Sequence, residues 1–224
     1  MKKTIAFYII AAIALLITGC SRQVSPQPDP RMQSNIQNPI AIAAPVAQVF
    51  TDFSFYFFKT LQSETEMEKD IFVSPLSLHI ALGMLVNGAA GDTRAEIMKA
   101  LKSETLSQEE LNTAYQTLLS ELPKADPLVK LALANAIFYK NTFQAETSFL
   151  NTLKTTFNAQ ISGLPFVPAD LATINGWARD NTNGKIPKVL NELDPALVML
   201  LMNALYFKGD WRLKFDKKNT RNTR

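Results

Sequence analysis

The stretch that most constrains this chain runs from Ile71 to Gly91, IFVSPLSLHIALGMLVNGAAG. It carries no charged side chain, and its one titratable group is His79. Ser74 followed by Pro75 marks a helix start, because the hydroxyl can accept from the free amides of the first turn and proline there has no amide to leave unpaired. Ile71–Val73, just ahead, reads as a short strand. The helix that follows has no polar face to turn toward water, so it is expected to be covered on all sides. A membrane span is the competing reading. Ser, Pro, His and Asn within the stretch, and the short strand before it, argue against it. Covering a helix all round takes a large domain. The 224 residues, 47% hydrophobic and 19% charged, are enough to build one.

The segments on either side supply the covering layers. Val46, Val49, Phe50, Phe53, Phe57 and Leu61 fall at helical spacing. Thr93 to Glu96 has the spacing of a capping box and predicts a helix through Leu101; Ser107 to Glu110 repeats it. After the second box, Leu111, Ala114, Tyr115, Leu118, Leu119 and Leu122 form a helical stripe. Val129–Lys140 reads as a strand, Thr147–Phe157 as a helix, and Ile161–Leu164 as a strand closed by Pro165. Leu171, Ile174, Trp177 and Ala178 mark a helix that ends before Asn183-Gly184, and Leu197–Phe207 is a long apolar strand expected to be buried on both faces. LALANAIFYK and MLLMNALYFK echo each other, which suggests two strands of one sheet in similar surroundings. Each places an asparagine, Asn135 or Asn203, in mid-strand. A buried asparagine without partners costs on the order of 1–3 kcal/mol, so polar groups are expected inside this core, with Ser74 and Ser77 as candidates.

The first residues read as a targeting segment. Lys2 and Lys3 precede an apolar run from Ile5 to Ile17, and Ile17-Thr18-Gly19 then leads into Cys20, the sole cysteine. This resembles a bacterial lipobox, in which the cysteine is lipidated and becomes the mature N-terminus. An ordinary secretory signal with an incidental cysteine is the alternative. Residues 1–19 are thus a signal peptide, and residues 20–45, with five prolines between Ser21 and Pro45, a semi-extended tether. The folded part occupies residues 46–224. The expected location is outside the cytoplasm, lipid-anchored to the cell or outer membrane, or extracellular.

Charge and residue inventory argue against several functions. The formal net charge is +3, but residues 212–224 hold six basic residues and one acidic. With that tail, Lys2 and Lys3 set aside, 15 basic face 19 acidic residues, so the body offers no nucleic-acid surface. His79 has Ser77 two positions away and no nearby acid to orient it, so a Ser-His-acid hydrolase is remote and a hydrogen-bonded core histidine is expected. One histidine, one lipidated cysteine and scattered carboxylates give neither a metal site nor an acid–base pair. Gly88 and Gly91 lack the Lys-Ser/Thr of a phosphate loop. No catalytic residue, metal or cofactor is expected.

Four motifs in order resemble the serpins, inhibitors that trap proteases by inserting a loop into a sheet. Phe72-Val73-Ser74-Pro75-Leu76-Ser77-Leu78 is similar to the family's strand-to-helix junction. Ala81-Leu82-Gly83-Met84-Leu85 with Gly88-Ala89 and Thr93 resembles its buried helix and the next helix start. Ile174-Asn175-Gly176-Trp177 with Thr182-Asn183-Gly184-Lys185-Ile186 looks like the helix that crosses the main sheet, and Asn203 to Trp211 like a central strand and its tryptophan. The resemblance implies an α+β fold of three sheets and about nine helices, of which this chain would hold the N-terminal helices, the buried helix and part of the large sheet.

It further implies that Ser74, Ser77, Asn135 and Asn203 form a polar cluster beneath that sheet, and that Trp211 stands near its top, where insertion begins. The implied partner of the full-length protein is a serine or cysteine protease, with the membrane as a second partner through the lipid. In the family more strands, helices and the reactive loop follow the tryptophan. Nothing here corresponds to that loop, so the basic tail reads as an element cut short and this chain alone as inactive. A non-inhibitory truncated product or interaction module is the alternative.

Overall fold

The computed structural model describes residues 39–64, 70–211, 215–219 and 221. The chain divides into two units, Ser34–Asp210 and a second made of Met1–Gln33 with Trp211–Arg224. In the first unit α1 (Ala44–Glu64), α2 (Pro75–Val86), α3 (Gly91–Ala100) and α4 (Gln108–Glu121) lead into β1 (Val129–Lys140). Then come α5 (Thr147–Thr156), β2 (Gln160–Leu164), α6 (Asp170–Asn181) and β3 (Met199–Gly209). In the second unit the Trp211 and Phe215 rings meet edge to face at 5.2 Å ahead of a short 3-10 turn, Lys217–Asn219. Among the described residues no helix is long and apolar enough to cross a membrane.

The sheet has the order β2-β1-β3. β2 runs parallel to β1, with Ala136 opposite Gln160; β3 runs antiparallel, from Val129 opposite Gly209 to Tyr139 opposite Met199. Alternation along the strands separates two cores. Leu133, Ile137 and Tyr139 of β1 and Met199 and Leu201 of β3 face the layer built from α1 to α5, where Ile80, Met84, Leu101, Leu111 and Leu153 are fully enclosed. Each such side chain contributes about 1.5–3 kcal/mol by leaving water. The alternate residues Ala134, Ala136, Phe138, Leu200, Met202 and Ala204 face α6, which buries Ile174, Trp177 and Ala178 on them. The alanines leave the shallow floor that a helix lying across a sheet needs.

Local chemistry accounts for the helix ends. Ser74 Oγ accepts from Ser77 N–H at 3.2 Å, with Pro75 at the first position of α2. Ser107 and Glu110 form both halves of a capping box on α4, where Leu111, Ala114, Tyr115 and Leu118 are buried as the stripe predicts. The Thr93 box does not form. α3 begins three residues earlier, with Ala90 rather than Thr93 at its cap, and Gly91 takes a left-handed φ of 56° at its first position. Ile71–Val73 is not a strand: Phe72 is fully exposed, and among the described residues no strand lies beside it to supply a ladder. α2 is closely but not wholly covered, since Leu85 is exposed and Leu76, Leu78, Ala81 and Leu82 are half-buried. β3 is covered from both faces over residues 199–204, though mostly half-buried; Phe207 is 63% exposed, and among the described residues no strand pairs along the outer side of β3.

Candidate functional site

The register of β1 against β3 sets Asn135 directly opposite Asn203, on the face that looks toward α2 and α5. Asn203 Nδ2 donates to Asn135 Oδ1 at 2.7 Å, and Asn135 Nδ2 donates to the Phe157 carbonyl at the end of α5, also at 2.7 Å. The chain of bonds fastens both strands to the helix layer. Among the described residues no donor reaches the buried Asn203 Oδ1, and Ser77 Oγ, near the start of α2, is in the same condition. A buried group left unmet by both protein and water costs about 1–3 kcal/mol. Ser74 is used in capping α2. Ser74 and Ser77 are thus joined to each other, as are Asn135 and Asn203, but no hydrogen bond among the described residues links the two pairs. Trp211 lies past the end of β3, is 69% exposed, and belongs to the second unit. Cys20 lies outside the described residues.

Beside this cluster is a second polar group in an apolar core. His79, on α2, is fully buried; the Phe50 and Phe53 rings of α1 meet it edge-on at 4.5 and 4.8 Å. Tyr115 Oη lies 2.8 Å from its Nδ1, and the Leu101 carbonyl 3.3 Å from its Nε2. A carbonyl can only accept, so Nε2 carries the proton and Nδ1 accepts from the phenol. Burial pulls the imidazole down from 6.5 to about 4, and the bond to Leu101 opposes this in part; burial pushes the Tyr115 phenol up. At neutral pH both groups are uncharged. Gly83 admits the tyrosine, since a Cβ there would lie 2.4 Å from the Tyr115 ring. Composition and spacing point to a buried histidine but not to Tyr115, whose one signal is a phenol placed inside an otherwise apolar stripe.

Neither cluster is equipped for catalysis. His79 spends both nitrogens on structural partners, no carboxylate orients it, and Ser77 is not bonded to it. Among the described residues no group of three His, Cys, Asp or Glu side chains could hold a metal. β3 is an outer strand, and along its far side no strand is paired among the described residues. An orphaned acceptor lies on the buried face of that edge.

A family profile described as serpin (serine protease inhibitor) matches residues 48–224. The chain belongs to the serpin family. Its relatives include a leukocyte elastase inhibitor of Xenopus laevis, 35% identical over 176 residues, which cover 76% of this chain and 46% of that protein. A corticosteroid-binding globulin of Saimiri sciureus is 32% identical over 183 residues, 79% of this chain and 44% of the relative. Among solved structures, the thermophilic serpin tengpin in its latent state is 34% identical with a TM-score of 0.74, covering 80% of this chain and 48% of tengpin. This serpin chain therefore spans about half the length of the relatives it matches, and its helices and mixed sheet are part of the serpin fold.

Proposed function

We propose that this chain is the N-terminal part of a serpin that inhibits serine or cysteine proteases by strand insertion and has no catalysis of its own. The observation that carries the reading is the match of the serpin (serine protease inhibitor) profile to residues 48–224. On this reading the inserted strand pairs through its backbone along the outer side of β3. The elastase-inhibitor relative supports the same reading. In this mechanism a protease cleaves an exposed loop, the loop enters the sheet, and the attached acyl-enzyme is distorted, driven by strain stored in the uncut protein. On this reading Ser74, Ser77, Asn135 and Asn203 line the place where the sheet parts. Cys20 carries the lipid and the chain between it and α1, which begins at Ala44 rather than after Pro45, sets the folded part off the membrane.

The 224 residues alone do not trap a protease, because they match only about half of an inhibitor's length. The test is to incubate this chain, and the longest protein read in frame through and beyond Arg224, with trypsin-like, chymotrypsin-like and subtilisin-like enzymes. The long form should give a covalent complex that survives SDS, and the short form simple digestion. A trap formed by the short form, or none by a long form that carries a cleavable loop, refutes the reading. The second reading is a non-inhibitory binding module. The corticosteroid-binding relative favours it, and it predicts a long form that is cleaved without trapping.

A further inference from the structure

Asn-Gly occurs three times in the chain, at Asn87-Gly88, Asn175-Gly176 and Asn183-Gly184. In this dipeptide the glycine nitrogen can attack the asparagine side chain, because glycine has no Cβ to block the approach. The glycine nitrogen gives up its proton to water and bonds to asparagine Cγ. The Cγ–Nδ2 bond breaks, the side-chain nitrogen leaves as ammonia, and a cyclic imide remains. Water then opens the imide at either carbonyl. One product is aspartate; the other is its isomer, whose backbone runs through Cγ. The ring closes only when the asparagine side chain and the glycine amide have both let go of other partners, so local opening decides which pair reacts.

Two of the three pairs are held firmly. Asn87, just past α2, donates from Nδ2 to the Gly83 carbonyl at 2.8 Å and to Asn112 Oδ1 at 3.0 Å. Its Oδ1 accepts from Asn112 Nδ2 at 2.9 Å and from Gln108 Nε2, and the Gly88 amide donates to the Leu85 carbonyl at 3.0 Å. Asn175 lies inside α6 and accepts from the amides of Val189 and Leu190 at 2.7 and 3.0 Å while donating to the Leu190 carbonyl at 2.9 Å. The Gly176 amide sits within the helical ladder. The third pair forms the exposed turn after α6, with φ of 52° and 77°. There Asn183 Nδ2 donates to Tyr206 Oη of β3 at 3.2 Å and the Gly184 amide to the Arg179 carbonyl at 2.8 Å. Two bonds must open at Asn183, against four at Asn175 and five at Asn87.

We propose that Asn183 is a site of spontaneous deamidation in the folded protein, and that the fold protects Asn87 and Asn175. Water is the only co-reactant, so the inference stands apart from the inhibitor reading. The product changes the contact with the edge strand. The amide donor is gone and a carboxylate can only accept, so the Tyr206 hydroxyl turns round to donate. A negative charge enters beside a tyrosine ring over which Lys130 Nζ stands at 5.6 Å. The isomer also lengthens the backbone inside the turn that Gly184 closes on Arg179. A new molecule thus meets β3 here with a neutral donor, and an aged one with an anionic acceptor.

The test holds the full chain at mildly alkaline pH, folded in buffer or unfolded in urea, and follows the three peptides by mass over time. In urea the three pairs should react at similar rates. In buffer Asn183 should react at least about twentyfold faster than Asn87 or Asn175, since each additional bond of ordinary net strength holds a site back about fivefold. Tyr206→Phe removes one of the two restraints on Asn183. It should speed Asn183 about fivefold in buffer, leave Asn87 and Asn175 unchanged, and have no effect in urea. Asn183 reacting no faster than either other pair in buffer overturns the proposal. So does an Asn183 that stays intact in buffer while the unfolded chain is converted, or one whose rate Tyr206→Phe leaves unchanged.

Discussion

Acid should weaken this fold through His79 in a way that can be isolated from every carboxylate. The imidazole is held near 4 in the folded protein and reverts to 6.5 when the chain unfolds. Below pH 6.5 the unfolded state therefore binds a proton that the folded state refuses, and stability falls as pH drops through that window. The loss is complete below about pH 4, and the gap between the two values corresponds to about 3 kcal/mol. His79→Phe removes the titration and orphans nothing: Tyr115 Oη already lies 3.3 Å from the His79 backbone carbonyl, and Leu101 keeps the Ser103 hydroxyl at 3.1 Å as a donor. The assay is urea unfolding at half-unit steps from pH 7.5 to 4.0 for both proteins. Glu110 and Glu121, each pulled down by its own hydrogen bonds, titrate alike in the two and cancel in the difference. The stability difference should move by about 3 kcal/mol in favour of phenylalanine between pH 7 and pH 4. Parallel profiles would show that the buried imidazole exchanges its proton without penalty, and the reasoning fails.

Gly83→Ala should force the Tyr115 ring out of its seat and cost about 1–3 kcal/mol in urea unfolding; a neutral result would mean α2 and α4 can separate freely. Asn135→Ala strips the partners from Asn203 Nδ2 and the Phe157 carbonyl and should cost at least about 2 kcal/mol, while Asn203→Leu exchanges one unmet acceptor, Asn203 Oδ1, for another, Asn135 Oδ1, and should cost distinctly less; equal losses would refute the bonding scheme. Cys20→Ala should release the protein from the membrane fraction, since a multiply acylated cysteine anchors stably and none cannot; intact mass showing an unmodified Cys20 or a different mature start counts against lipidation.

Features that depend on neighbours in sequence were legible. Ser107 and Glu110 cap α4 because both halves of the device lie within one turn. The stripe from Leu111 to Leu118 is buried because period alone puts it on one face. Features that depend on a partner were not. Ile71–Val73 has strand composition, but a strand exists only when another lies beside it. The need to satisfy Asn135 and Asn203 was readable, yet which group satisfies them is decided by the β1–β3 register, which brings together residues 68 positions apart. The Tyr115–His79 bond spans 36 positions, and its one local trace is a phenol inside an apolar stripe. β3 reads as covered on both faces because its apolar residues fall on both, and it packs on both cores over residues 199–204; the exposure of Phe207 beyond them was not readable.

The two edges of β1 close over very different lengths of chain. On one side Ala136 meets Gln160 after a single helical crossover; on the other it meets Met202, with α5, β2 and α6 all strung between. Closing a longer loop costs more entropy before any contact rewards it, and such pairings slow folding. On loop-closure grounds β1 is expected to pair with β2 before β3. In that interval a twelve-residue strand offers one complete row of amides and carbonyls to whatever arrives first. An arriving β3 from another molecule has the same Asn203, the same register and the same apolar faces as the native one. The yield of correctly folded chain should thus depend on dilution during refolding, because at high concentration the partner β1 is waiting for is present in every neighbour.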